Sequence, residues 1–256
     1  MIRKSLRIIS IFFIVVTYLA ICSVVDILIG NKKRKLIFFT RTASFFIRLL
    51  LTAFGVNPSY KNFKNLSDNK SNYLIVSNHL SYIDILMIFS VKPSLFVANS
   101  GLKSEFLLGT VTGYAGGIFV ERKKATLSME IDMISDLLNE GFNVVLFPEA
   151  TTSNGDGLLP FKNPFLASAL RSKVDIVPIC IKYRKIDGDD VNISNRDDIY
   201  YYGDAKFFDH ALKLLSHKSV EADVIELEKI EVKPTQSRKE LSNLAFDIIN
   251  KAYHNL

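Results

Sequence analysis

Apolar residues fill the first fifth of the chain almost continuously, and from residue 72 onward they break into short runs and helical stripes. Residues 8–25, IISIFFIVVTYLAICSVV, carry no charge and approach the ~20 residues that a spanning helix needs. The next stretch, KLIFFTRTASFFIRLLLTAFG, is interrupted by Arg41 and Arg48. Two helical turns separate these arginines, so they share one face and leave Phe, Ile and Leu on most of the rest. That pattern suits a helix lying in a membrane interface with its arginines turned to lipid phosphates. No small-x-small cleavage site follows the first segment and NKKRK arrives soon after it, so the pattern predicts a retained anchor rather than a signal peptide. Residues 1–56 are expected to form membrane-anchoring helices, one span or a shallow hairpin, ahead of a globular domain over 57–256.

Beyond Asn72 the rhythm alternates. YLIVSN reads as a buried strand, and a helix is predicted from Ser81 to Phe89. ATLSMEIDMISDLLNEG sets Leu127, Ile131, Ile134, Leu137 and Leu138 on one helical face, with Gly141 as its stop. FNVVLF and VDIVPICI are short apolar strands. FDHALKLLSHK is an amphipathic helix, SVEADVIEL alternates like a half-exposed strand, and SRKELSNLAFDIINKAY is a closing helix with a Ser237–Glu240 capping box. The fold class is α/β, a mostly parallel sheet with helices packed over it, preceded by an N-terminal membrane-associated helical pair. In such sheets chemistry gathers beyond the C-terminal strand ends. His79 and Glu149 each follow a predicted strand.

Composition supports lipid contact: 48% of the residues are apolar, and Phe (19) far exceeds Tyr (10). The net charge of +6 lies partly beside the apolar N-terminus, where it meets anionic lipid more naturally than nucleic acid. There is no zinc-finger spacing and no basic-aromatic strand pattern, so no nucleic-acid partner is expected. Cys22 and Cys180 provide neither a disulfide framework nor a metal cluster. They read as small buried apolar residues of a reducing compartment, and no metal site is expected.

The segment SNHLSYID places His79 five positions before Asp84, between two apolar runs. Ser81 and Asp84 fit an S-x-x-D capping box, so the carboxylate could serve the helix alone. The same spacing lets an Asp in the first helical turn reach back to an imidazole, fix its tautomer and raise the basicity of its far nitrogen. No G-x-S-x-G elbow accompanies the pair, and neither cysteine sits in a nucleophile motif. A His–Asp pair without its own nucleophile suggests that the attacking hydroxyl belongs to a substrate.

SNHLSYID resembles the NH-x4-D block of the glycerolipid acyltransferase family related to 1-acylglycerol-3-phosphate acyltransferases. GGIFVER (116–122) resembles its G-x-F-x-x-R block, FPEATTS (147–153) its F-P-E-G-T-R block, and IVPI (176–179) its apolar proline block, all in the family's order. The resemblance covers roughly residues 70–185. It implies membrane-bound transfer of a fatty acyl group from acyl-CoA or acyl-carrier protein to the hydroxyl of a lysolipid, with no cofactor beyond the acyl thioester. His79 would be the general base and Asp84 its orienting partner. Asn78, Gly117, Phe119, Arg122, Pro148, Glu149, Ala150, Thr151 and Thr152 would form the acceptor site, with Arg122 clamping its phosphate and Phe119 serving as apolar wall. Lys162 is a further cation near this stretch, equally suited to an anionic substrate or to solvent. The location implied is the cytoplasmic face of the inner membrane of a bacterium.

Two positions depart from the family pattern. Ala150 stands where the family has Gly, so a positive-φ turn is not expected there. Thr152 stands where the family often has Arg, which removes a phosphate-binding fork and admits acceptors with other headgroups, lyso-ornithine lipids or larger lysophospholipids among them. A lipid esterase or thioesterase using His79 to activate water, and a non-catalytic lipid-binding protein, are the competing readings.

Overall fold

The N-terminal apolar stretch folds as two helices, α1 (Ile2–Leu28) and α2 (Lys32–Phe54). This computed structural model describes residues 2–255 except 69, 122 and 163, with the backbone alone at 106. The Asn31 side chain caps α2 by accepting from the Arg34 N–H, and Gly55 ends it in the left-handed region at φ +76°. The helices form an antiparallel hairpin. Asp26 pairs with Lys35 at 2.6 Å beside the turn, and Tyr18 meets Phe46 with ring centroids 5.5 Å apart. At the far end Arg7 donates to the carbonyls of His217 (2.5 Å) and Lys218 (2.8 Å), which ties α1 to the globular part. Both helices are long and apolar enough to cross a membrane. Phe12, Phe13, Val16, Ile27 and Phe45 stand exposed on them.

Both α2 arginines are exposed, Arg41 beside Arg34 in an apolar groove. Arg48 also donates from Nε to the Ser90 carbonyl at 2.7 Å. An unsatisfied carbonyl at a helix C-terminus is a strong local acceptor for a cation, and here it outcompetes solvent.

The remaining chain runs β1 (Val56–Lys61), β2 (Leu74–Ser77), α3 (Ile83–Val91), β3 (Leu95–Asn99), α4 (Phe106–Tyr114), β4 (Gly117–Val120), α5 (Leu127–Asn139) and β5 (Val144–Leu146). It continues through α6 (Ala167–Ser172), β6 (Ile176–Ile186), β7 (Asp189–Asp190), α7 (Phe207–Leu214), β8 (Val220–Glu226) and α8 (Arg238–His254). The sheet order is β1-β8-β6-β2-β5-β3-β4, with β7 paired to β6. Neighbours are parallel except β6 with β8 and with β7, so the loops after β2, β5, β3 and β4 open at one end.

Strands β2 and β5 are buried on both faces, as their unbroken Val/Ile/Leu runs require. Helix α3 fills the space between the sheet and α2, with Ile83, Met87 and Ile88 sealed from solvent. Each such side chain contributes about 1.5–3 kcal/mol of burial. Gly141 ends α5 at φ +93°. The α8 capping box forms in both directions, Glu240 N–H to Ser237 Oγ (3.2 Å) and Ser237 N–H to Glu240 Oε2 (2.6 Å).

Strand β8 corrects the half-exposed expectation, because Ala222 to Glu226 are all buried. Its charged residues are covered and satisfied there. Glu226 accepts from Asn65 N–H, Asn65 Nδ2 and Leu66 N–H, and Asp223 pairs with Lys61 at 2.8 Å. The charges in this stretch are met by neutral donors at Glu226 and by Lys61 at Asp223 rather than by solvent.

Candidate active site

The chain leaves β2 at Ser77 and turns through Asn78 and His79 into α3. Asn78 is buried, and both ends of its amide bond the backbone of β6, Nδ2 to Ile181 O (2.9 Å) and Ile181 N–H to Oδ1 (2.8 Å). This double bond pins the loop to the sheet next to His79 and leaves little of Asn78 to meet a ligand. One turn into α3, Asp84 is 0% exposed, yet its carboxylate has four donors. Oδ2 accepts from His79 Nδ1 (2.9 Å), Leu80 N–H (2.6 Å) and Ser81 N–H (2.8 Å), and Oδ1 accepts from Tyr183 Oη (2.7 Å). One carboxylate oxygen of Asp84 thus serves both the start of α3 and the His79 imidazole. Its bond to Ser81 N–H is one arm of a capping box, although the N-cap of α3 is Tyr82, one residue later than the box requires, with no side-chain cap.

With Nδ1 bound to Asp84, the ring nitrogen of His79 left for proton transfer is Nε2. The imidazole keeps 20% of its surface exposed while its partner is sealed. Phe147 stacks on the imidazole at 3.9 Å between centroids and 16° between planes. Burial and the Asp84 charge hold the Tyr183 phenol well above its ordinary pKa, so it remains a donor.

Strand β5 delivers the second group beside the first, since β2 and β5 are parallel neighbours. Pro148 is buried, and Glu149 after it is 7% exposed. Its Oε1 accepts the His79 backbone N–H (2.8 Å) and its Oε2 the Leu159 N–H (2.8 Å). Burial pushes this carboxyl up to about 7, against those two bonds and with Asp84 adding to the rise. Glu149 thus bridges the histidine loop and the loop over residues 150–162. Ala150 overturns the expectation for its backbone: it adopts φ +62°. The Ala150 N–H bonds Phe147 O at 3.1 Å, and this turn outweighs the roughly 1 kcal/mol that a β-carbon costs in the left-handed region. Thr151 is exposed and Thr152 half-buried, followed by Ser153, whose N–H donates to His79 O at 2.9 Å. Lys162 is exposed.

The G-x-F-x-x-R block lies on the edge strand β4. A β-carbon at Gly117 would come within 2.5 Å of Thr112 Cγ2, so glycine there lets α4 pack against its own following strand. Phe119 is half-buried. Arg122 lies outside the described residues. The turn after β4 opens at the same sheet end as His79 and Glu149.

Two residues at this site escaped the sequence reading. Phe147 carried a signal, since the aromatic of FPE directly precedes the Pro-Glu pair. Tyr183 carried none, because its bond to Asp84 depends on the β6 register beside β2.

Residues 58–182 match the family model described as Acyltransferase. This region is an acyltransferase-family domain. A lyso-ornithine lipid O-acyltransferase from Rhizobium meliloti (strain 1021) is 33% identical over 192 residues, covering 72% of this chain and 66% of that protein. A 1-acyl-sn-glycerol-3-phosphate acyltransferase from Neisseria gonorrhoeae is 34% identical over 117 residues, 45% of this chain and 46% of that protein. The chain thus aligns with about half to two thirds of the length of these curated relatives. The crystal structure of the 1-acyl-sn-glycerophosphate (LPA) acyltransferase PlsC from Thermotoga maritima shares the fold, with a TM-score of 0.69 over 99% of this chain and 96% of that one at 18% identity. The four sequence blocks of the acyltransferase domain therefore sit on a fold already seen with that name.

Proposed function

We propose that this protein is a membrane-bound lysolipid O-acyltransferase that uses His79 as general base and forms no acyl-enzyme. The observation that carries this reading is the His79–Asp84 pair, partly exposed at the imidazole and sealed at the carboxylate, with no serine elbow or reactive cysteine in the sequence beside it. Cys22 and Cys180 are both buried.

In the reaction, Nε2 of His79 takes the proton as the acceptor's hydroxyl oxygen attacks the thioester carbonyl. Asp84 holds the tautomer and stabilises the imidazolium, an arrangement worth about 10²–10⁴-fold. The new C–O bond forms, the C–S bond breaks, and the thiolate leaves as a weak base that takes up the proton. Arg122 clamps an anionic group of the acceptor. Glu149 holds the 150–162 loop against the histidine, with Ala150, Thr151 and Thr152 at its start. Gly117 and Phe119 shape the wall on the β4 side. The donor is acyl-CoA or acyl-carrier protein, and the acceptor belongs to the group named by the relatives, lyso-ornithine lipid or 1-acylglycerol-3-phosphate. Residues 1–56 anchor the domain of 57–256, with exposed apolar faces of α1 and α2 in the bilayer, on the cytoplasmic side.

The test is thiol release by purified protein supplied with long-chain acyl-CoA or acyl-carrier protein and a panel of lysolipids, with products identified by mass spectrometry. Release that requires a lysolipid, yields its acylated form and disappears in His79→Ala is the expected result. Release without any acceptor would make the protein a thioesterase, and no difference between protein and variant with either donor would refute the enzymatic reading.

A further inference from the structure

The loop that follows Glu149, TTSNGDG, lacks the arginine common in the family at position 152, but it carries Asp156, and a guanidinium arrives from elsewhere. Arg196 NH1 binds Asp156 Oδ1, and its NH2 lies 3.5 Å from Oδ2. Asn154 Nδ2 also donates to Asp156 Oδ2 at 2.6 Å. Both segments carrying the pair are fastened to the histidine loop. Ser153 N–H donates to His79 O and Tyr201 N–H to Leu80 O, each at 2.9 Å, so Asp156 lies three residues from a contact with the proposed base and Arg196 five residues from a contact with its neighbour Leu80.

The pair is not needed to hold the loop. Gly155, at φ +80°, seats against the Tyr200 ring so closely that a β-carbon would overlap it. Tyr253 Oη bonds Gly155 O at 2.8 Å, and Glu149 Oε2 receives Leu159 N–H. The Asp156 side chain remains 63% exposed, while Arg196 is 15% exposed and so held in a fixed place. An ion pair with an exposed partner adds little net stability, so a ligand bearing both charges can replace or bridge it at small cost.

We propose that Asp156 and Arg196 select an acceptor whose headgroup carries both an ammonium and a carboxylate, Asp156 taking the first and Arg196 the second. This rests on the lysolipid acyltransferase reading. Ornithine has two amines and one carboxylate, so a lipid that acylates one amine keeps the other charged beside the carboxylate. Such a headgroup meets a complementary two-point site, because the planar guanidinium matches a carboxylate in two parallel bonds. A phosphate monoester would gain Arg196 but face Asp156 as a like charge.

The test measures kcat/KM of the full-length protein for lyso-ornithine lipid, for the same lipid with its free amine acetylated, and for 1-acylglycerol-3-phosphate. The wild type is expected to prefer the zwitterionic lipid and to lose about tenfold or more on acetylation, the scale of one charge-assisted bond. In Asp156→Asn the acetylation penalty should largely vanish. Arg196→Gln should lower the ratio of zwitterionic to phosphate acceptor by a similar factor. An acetylated lipid used as well as its parent by the wild type would overturn the proposal without relying on any variant. So would equal losses on all acceptors, which would make the pair a loop brace. Wild-type transfer to the phosphate acceptor alone would overturn the headgroup assignment while the acyltransferase reading stood. Transfer to no lysolipid would overturn both.

Discussion

Asp84 and Glu149 are both buried carboxylates at the same end of the sheet, each bonded to the histidine loop, yet their surroundings differ. Asp84 has four donors, two of them side chains, and one is an imidazole able to carry positive charge. Glu149 has two backbone donors and no cation, and burial raises it to about 7. The first is a hub on which four donors converge. The second is a strut between two loops, near enough to neutrality that its charge state follows the solution. Burial alone does not assign a role to a carboxylate; the number and kind of its donors do.

Replacing Asp84 by Asn should produce the largest effect. One amide end cannot accept, so donors that now converge on the carboxylate meet a like group. Acyl transfer should fall about 10²–10⁴-fold, and urea unfolding should show a loss of at least about 2 kcal/mol. Tyr183→Phe comes next and isolates one donor. It should cost about 1–3 kcal/mol, the value of leaving a buried charged acceptor short of a bond. A less stabilised Asp84 would hold the imidazolium more firmly, so the acid limb of the kcat–pH profile should move to higher pH. An unchanged profile would show Tyr183 to be a packing residue alone.

Glu149→Gln separates the strut from the charge. Because the folded protein binds this proton more tightly than the unfolded chain, whose Glu titrates at about 4.3, its contribution to stability is full below that value. It is lost as pH rises through about 7. Thermal unfolding should therefore weaken between pH 5 and 8 in the wild type, and the dependence should flatten in Glu149→Gln. Amide exchange at Leu159 should speed up in the variant, since one of its two acceptors becomes a donor. Phe147→Leu should have the smallest effect, about 0.5–1.5 kcal/mol from the lost stacking on His79, measured as a shift in unfolding midpoint with a few-fold fall in kcat.

Much of this was legible in the chain. Continuous apolar runs announced β2 and β5, helical spacing announced α5, and the S-x-x-E of α8 formed both arms of its cap. Placement of His79 and Glu149 each just after a strand followed from the run-and-turn pattern, whereas the pairing of those strands as neighbours came from the fold. Strand β1 was not legible, because VNPSYK alternates weakly and contains Pro58, which is tolerated here only because the strand lies at the sheet edge and pairs with β8 alone. The burial of β8 and the bond from Arg48 to α3 depended on partners distant in sequence, Asn65, Lys61 and Ser90. The backbone of Ala150 misled for another reason: a substitution rule for glycine compares isolated residues, whereas a turn fastened on both sides can hold an alanine in the left-handed region.

The central claim is that the attacking hydroxyl belongs to the acceptor, with His79 as its base and no acyl group passing through the protein. Intact mass spectrometry of the purified protein during a single turnover with acyl thioester, first without and then with lysolipid, tests this directly. The expected result is no acylated protein at any time, thiol release only after lysolipid is added, and neither event in His79→Ala. A stoichiometric acyl-protein that forms without acceptor and decays when lysolipid is added would contradict it.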